Sequence, residues 1–127
     1  MSIFYIRLLF AIVGVYDFVI GLAFLGFGPA LFEATGVPAP NHWGYIQFAS
    51  LMLVTFGAMF FAVAASPVAN RNLIPFGMLL KLSYVGIVAY YWMATDLPFL
   101  FKPFAAVDAL MFVLFVVAYR ELARERP

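Results

Sequence analysis

Cysteine is absent from this sequence, charged residues are scarce and histidine occurs once. Without cysteine among the 127 residues, disulfides, thiol catalysis, iron–sulfur clusters and covalently attached haem are excluded. A lone His42 does not provide the ligand set of a metal site, so we predict none. The net charge of +1 argues against nucleic acid as a partner. The motifs of serine hydrolases, P-loop proteins and zinc proteases are also missing, and we identify no catalytic residue.

The residues that are present are overwhelmingly apolar. Hydrophobic residues make up 67% of the chain and charged residues only 10%, whereas soluble domains carry about a quarter charged residues. This composition predicts a membrane protein that is embedded in the lipid bilayer. The length fits a single domain over residues 1–127. The first apolar run contains Asp17 and has no clear cleavage site, so we interpret it as an uncleaved transmembrane helix.

Four apolar segments have the length of membrane-spanning helices. They cover residues 3–25, 43–66, 73–95 and 103–124, approximately, and each is long enough to cross a hydrocarbon core about 30 Å thick. The stretch Gly26-Phe-Gly-Pro29 is expected to end the first helix, and Gly36 to end a short amphipathic turn after it. The sequence therefore predicts an all-α integral membrane four-helix bundle. The short link between the second and third helices predicts that they are antiparallel neighbours.

Basic residues are distributed unevenly between the two ends of this bundle. Only Lys102 falls among the links on the side opposite the termini. The basic residues on the side of the termini are Arg7, Arg71, Arg120, Arg124 and Arg126. The positive-inside rule therefore predicts that both termini are cytoplasmic, and that the chain is a multi-pass protein of the bacterial inner membrane.

Three ionisable side chains lie inside the predicted spans: Asp17, Lys81 and Asp108. Counted from the cytoplasmic helix ends, Asp17 is about thirteen residues deep, Lys81 about nine and Asp108 about eleven to twelve. These depths differ by a few ångströms, a distance that the lysine side chain can bridge. We predict that Lys81 pairs with one or both aspartates. With two carboxylates and one ammonium, one aspartate is expected to carry a proton. The cluster is interpreted either as a ligand anchor or proton relay, or as a structural ion pair that fixes helix register.

Further polar and small residues share helical faces with this cluster. Gln47 in the second helix and Tyr84 in the third are added to the candidate ligand-binding or proton-relay site. Small residues allow transmembrane helices to approach closely. The glycines assigned to helix packing on this ground are Gly14, Gly21, Gly57 and Gly77.

Part of the sequence resembles a known family. Arg7 precedes Gly21-Leu-Ala-Phe-Leu-Gly-Phe-Gly-Pro29 and Gly36-Val-Pro38, and a glycine-bearing second helix follows. These features, over the first half of the chain, resemble DoxX-like four-helix membrane proteins. The resemblance implies a connection to quinone or to a partner subunit, because relatives include membrane subunits associated with quinone-linked oxidation. It implies no catalytic residue. The second helix contains Gln47 but no acidic residue, so the polar core of the family is not matched there.

Three functions remain open from the sequence. The first is a non-catalytic inner-membrane protein that acts by association, as an accessory subunit of a membrane complex or as a homo-oligomer. The second is a protein that binds quinone, lipid or pigment through Asp17, Lys81 and Asp108, consistent with an aromatic content of 20%. The third is a small proton-coupled transporter in which Asp17 exchanges a proton for substrate.

Overall fold

The computed structural model describes residues 1–125 and is entirely helical in that range apart from its connecting loops. The four main helices are α1 (Ile3–Thr35), α2 (Gly44–Ala65), α3 (Ile74–Ala94) and α4 (Phe101–Leu122). All four are long and apolar enough to cross a membrane. A short 3₁₀ turn, Arg71–Leu73, leads into α3, and another, Ala123–Glu125, follows α4.

Helix α1 is interrupted at Phe27, within the stretch where the sequence predicts the end of the first helix, and the predicted helical turns up to Gly36 follow directly. The chain is kinked at Phe27 (φ −128°, ψ 21°) and then continues through Pro29 to Thr35. Pro29 removes one backbone N–H and so favours a kink at this position. The continuation is held in place because Phe32, 6% exposed, packs against the Trp43 ring with centroids 5.2 Å apart. Gly36 ends the helix in the left-handed region at φ 73°.

The other three helices begin and end within two residues of the predicted positions. Immediately before α2, the backbone N–H of Gly44 donates to His42 Nδ1 at 2.9 Å. His42 is exposed in this position, and its ring lies beside Tyr45. The single histidine thus accepts a hydrogen bond in the loop immediately before α2.

The helices pair as two hairpins. Helix α1 packs along α2 over most of its length, and α3 packs along α4. Helices α2 and α3 also contact each other, as their short link predicts, but over a smaller area than the helices of either hairpin. A short link fixes chain direction and leaves the packing partner open. Contacts between side chains therefore join the two hairpins, whose backbones approach each other closely at few points.

A dry aromatic cluster joins the hairpins in one half of the bundle. Phe10 of α1, Phe60 of α2 and Phe115 of α4 are each fully buried. Their ring centroids lie 4.8 Å apart for Phe10 and Phe115, and 5.2 Å apart for Phe60 and Phe115. Aromatic pairs at such distances add to the stabilisation from burial. This cluster occupies the end of the bundle that carries the termini.

Arginines at that same end hydrogen-bond backbone carbonyls of neighbouring helices. Arg7 Nε donates to the carbonyl of Ala64, at the end of α2, at 3.0 Å. Arg71 Nε donates to the carbonyl of Tyr119 at 2.8 Å, and its guanidinium lies 3.6 Å from the centre of the Tyr119 ring. Basic side chains suit helix C-termini because the last carbonyls lack intrahelical donors.

Candidate functional site

The three charged side chains inside the helices meet in one cluster, hereafter the ion cluster: Asp17, Lys81 and Asp108. Lys81 Nζ lies 2.9 Å from Asp17 Oδ1 and 3.0 Å from Asp17 Oδ2. It also lies 3.1 Å from Asp108 Oδ1. The predicted ion pairing is therefore present, and it joins three helices. Because Asp17 belongs to one hairpin and Lys81 and Asp108 to the other, the cluster is also a bond between the hairpins.

The ion cluster is almost completely withdrawn from solvent. The exposed fractions of the side chains are 1% for Lys81, 3% for Asp17 and 11% for Asp108. The ammonium also lies over two aromatic rings, 5.4 Å from the centre of Tyr16 and 5.8 Å from that of Phe60. Cations are attracted to aromatic faces, which partly offsets the loss of hydration. Asp108 is the member of the cluster that remains most accessible.

Glycines bring α1 and α2 together on either side of Asp17. A Cβ atom at Gly21 would lie 2.6 Å from the backbone oxygen of Ser50. A Cβ atom at Gly57 would lie 2.9 Å from the backbone nitrogen of Phe18 and 3.0 Å from the carbonyl oxygen of Gly14. These separations are closer than a side chain allows, so the helix approach depends on glycine.

The nearest neighbours of the other two packing glycines are aromatic rings, although Gly14 also approaches the carbonyl oxygen of Gly57. A Cβ atom at Gly14 would lie 2.7 Å from the ring of Phe61, and one at Gly77 would lie 2.5 Å from the ring of Phe60. Gly77 thus lets α3 approach the aromatic cluster one turn before Lys81. By contrast, a Cβ atom at Gly86 or Gly26 would meet nothing within 4 Å.

A cavity of about 460 Å³ lies between the two hairpins, on the opposite side of the ion cluster from the aromatic cluster. All four helices contribute to its lining, which is mostly apolar; the polar lining residues are Tyr16, Asp17, Ser50, Tyr84 and Asp108. Phe32 and Phe101 line the end nearest the interhelical loops. The cavity is open on one side, since the lining residue Phe48 is 65% exposed. Its volume falls within the range of about 300–1,000 Å³ typical of small-molecule sites.

Two tyrosines in the cavity lining differ in their hydrogen bonding. The hydroxyl of Tyr84 donates to the carbonyl of Phe101 at 3.0 Å, which ties α3 to the start of α4. The hydroxyl of Tyr16 is buried and has no hydrogen-bond partner among the described residues. A buried hydroxyl of this kind calls for an explanation, such as a bound molecule. Tyr16 was missed in the sequence, where the only signal was a polar aromatic residue directly before Asp17.

Gln47 lies apart from the ion cluster and the cavity, so the structure does not bring it together with the other candidate residues. Its side chain is exposed and does not line the cavity. At about 100° per residue, Gln47 lies about 60° from Ser50 on the side away from Gly57. The buried Ser50 takes the position facing the cavity, but its hydroxyl donates to the Ile46 carbonyl within α2 at 2.7 Å. Helix α2 therefore supplies apolar surface and no charge.

The arrangement suits binding and proton transfer better than metal coordination. Within residues 1–125, no group of three or more histidine, cysteine, aspartate or glutamate side chains is placed to hold a metal ion. Asp17 directs both of its oxygens to Lys81. Asp108 directs one oxygen to Lys81, and its second oxygen accepts no hydrogen bond from the described part of the chain. The site thus offers a ligand one free carboxylate oxygen, whereas the unpaired Tyr16 hydroxyl is itself buried.

Comparison with protein-family models, with curated proteins and with solved structures found no match. The resemblance to DoxX-like proteins therefore stays a prediction from the sequence. The candidate site has to be interpreted from its own geometry.

Proposed function

We propose that this protein is an integral membrane protein that binds a mainly apolar small molecule between its two helical hairpins. The cavity carries the proposal: it is large enough for such a ligand, apolar along its walls and polar at its inner end. Charged groups inside a bilayer are costly and are usually associated with ligand or ion pathways. In a protein that acts only by association the ion cluster would still join the hairpins, but the cavity would have no use.

The open side of the cavity suggests how the ligand enters. Phe48 and Ala49 of α2 are exposed and also line the cavity, so its mouth lies on the outer surface of the bundle. That surface faces hydrocarbon when the helices span a bilayer. A molecule dissolved in the membrane therefore reaches the cavity laterally, places its polar group at Asp108 and Tyr16, and leaves its apolar part along the cavity. Quinones, lipids and pigments share this apolar character.

A cavity-filling variant tests ligand binding. Leu53 lines the cavity, whereas Leu51 on the same helix is 46% exposed and does not. We expect Leu53→Trp to lower the amount of co-purifying small molecule about tenfold, which corresponds to a loss of about 1.4 kcal/mol of binding free energy. Leu51→Trp, the matched control, is expected to leave it unchanged. The measurement is mass spectrometry of extracts from gently purified protein. Equal ligand content in the two variants, or none in the wild type, would contradict the proposal.

We further propose that the helices span the bacterial inner membrane with both termini in the cytoplasm. Arg7, Arg71, Arg120 and Arg124 support this orientation, since basic residues are retained on the cytoplasmic side. The cavity then lies in the outer half of the bilayer. Association with other subunits or with a second copy, and proton-coupled transport, stay predictions from the sequence.

Single cysteines test the orientation without interference, because the wild-type chain contains none. Ala34, near the end of α1, and Ala69, in the link after α2, are both exposed. A membrane-impermeant maleimide is expected to label Ala34→Cys in intact spheroplasts, and Ala69→Cys only after the membrane is permeabilised. The wild-type chain is the control for background labelling. Labelling of both positions from one side, or the reverse pattern, would refute the proposed topology.

A further inference from the structure

The charges around the cavity specify which head group it accepts. We infer that the cavity selects an amphiphile with a cationic, amine-type head group over one with an anionic or neutral head group. This inference rests on the proposed function, because it assigns a ligand class to the same cavity.

The first observation is that the positive charge of the ion cluster is not offered to the cavity. An ammonium has three N–H donors. Lys81 Nζ already lies within 3.1 Å of three carboxylate oxygens, and the Lys81 side chain is 1% exposed. Lys81 does not line the cavity, although both of its aspartate partners do. An anionic head group therefore finds no cation there.

The second observation is the excess of negative charge. The two aspartates face one ammonium, and the described residues lining the cavity include no arginine, lysine or histidine. Asp108 has the most exposed side chain of the ion cluster and keeps one oxygen without a hydrogen bond from the described residues. A ligand ammonium placed at this oxygen makes a charge-assisted hydrogen bond and favours the ionised form of Asp108 over the protonated form that is expected of one aspartate in the cluster alone. Attraction between opposite charges is strengthened in an apolar, water-poor site.

The third observation concerns the hydroxyl groups. Tyr84 is already bonded to the Phe101 carbonyl, whereas the Tyr16 hydroxyl has no partner among the described residues. A ligand that is only a hydrogen-bond acceptor would have Tyr16 as its single available donor, with a carboxylate close by. An amine-type head group needs no donor from the site, because its own N–H groups donate to Asp108.

The test compares three amphiphiles with the same dodecyl chain: dodecylammonium, dodecanoate and dodecanol. Binding to the full-length protein in a neutral detergent is measured by native mass spectrometry. We expect the wild type to bind dodecylammonium about tenfold more tightly than the other two. Equal or tighter binding of dodecanoate or dodecanol would overturn the inference.

Two aspartate variants locate the source of the preference. Asp108→Asn keeps the side-chain size and is expected to remove the preference for dodecylammonium. Asp96→Asn makes the same change of charge at an exposed residue outside the cavity and is expected to retain the preference. Loss of the preference in Asp96→Asn, or its persistence in Asp108→Asn, would show that the selectivity does not come from the cavity.

The cavity-filling pair separates failure of this inference from failure of the proposed function. If Leu53→Trp weakens binding of all three amphiphiles relative to Leu51→Trp and no head group is preferred, the cavity binds apolar chains and the charge selectivity is wrong. If Leu53→Trp binds every amphiphile as well as Leu51→Trp does, the cavity is not the binding site and both proposals fail.

Discussion

Replacing Lys81 with methionine is expected to lower the free energy of unfolding by about 3–5 kcal/mol. Methionine has similar length and fills the same apolar surroundings, so the loss arises from charge. Asp17 is 2% exposed, and both of its oxygens bond to Lys81. Removing the ammonium leaves two carboxylates buried without a cation. The cluster also holds the hairpins together, so the variant is expected to lose contact between them.

Thermal unfolding in detergent, followed by circular dichroism, measures this effect. Lys102→Met is the matched control, because Lys102 is only partly buried and its ammonium lies over the Trp92 ring at 4.8 Å. The control is expected to lose less than about 1 kcal/mol. Combining Lys81→Met with Asp17→Asn is expected to recover part of the loss, since it removes one unpaired carboxylate. If the effects of the two single changes simply add, Lys81 and Asp17 are not energetically coupled.

Replacing Gly21 with leucine is expected to cost about 3 kcal/mol, near the upper end for overpacked sites. A Cβ atom there would lie 2.6 Å from the Ser50 carbonyl oxygen and 3.0 Å from the Val54 backbone nitrogen. Backbone atoms of α2 do not rotate aside, so α1 and α2 must separate. Gly14→Leu is expected to cost less, because the nearest atoms there belong to the Phe61 ring, which is 37% exposed.

Gly86→Leu is the matched control, since the same substitution in α3 meets open space. It is expected to leave the Tm unchanged or to raise it slightly, because glycine is a poor helix former. Melting temperatures of the three variants in one detergent provide the measurement. A Gly86→Leu protein as unstable as Gly21→Leu would mean that the close contact of α1 and α2 near Asp17 does not exist.

The ion cluster could be predicted from the sequence because charges inside long apolar helices leave few alternatives. Asp17, Lys81 and Asp108 lie at similar depths in their helices, and an unpaired buried charge would be too costly. The four long apolar helices could be predicted for a related reason, since a chain with 10% charged residues and repeated apolar runs is typical of a membrane protein. In both cases the physical constraint is strong and local.

The features that were missed depend on contacts between distant residues. The kink at Phe27 agrees with the break predicted at Gly-Phe-Gly-Pro, but the packing of Phe32 on Trp43 could not be inferred from that local pattern. The close fit of Gly21 against α2 likewise joins residues distant in the sequence, and no local pattern reveals it.

The cavity could not be predicted, because it is formed where side chains fail to fill the space between hairpins. No single residue signals an unfilled volume. Tyr16 belongs to the site only because of that volume, whereas Gln47, a more polar residue, lies on the outer surface.

The most direct test of the proposed function is a crystal structure grown in a lipid mesophase with dodecylammonium. The cavity account predicts elongated electron density between the hairpins, beside Leu53 and Phe104, that ends within hydrogen-bond distance of Asp108. Lys81 is expected to remain bonded to Asp17. Hairpins closed over an empty space, with the amphiphile bound only on the outer surface, would contradict the proposed function.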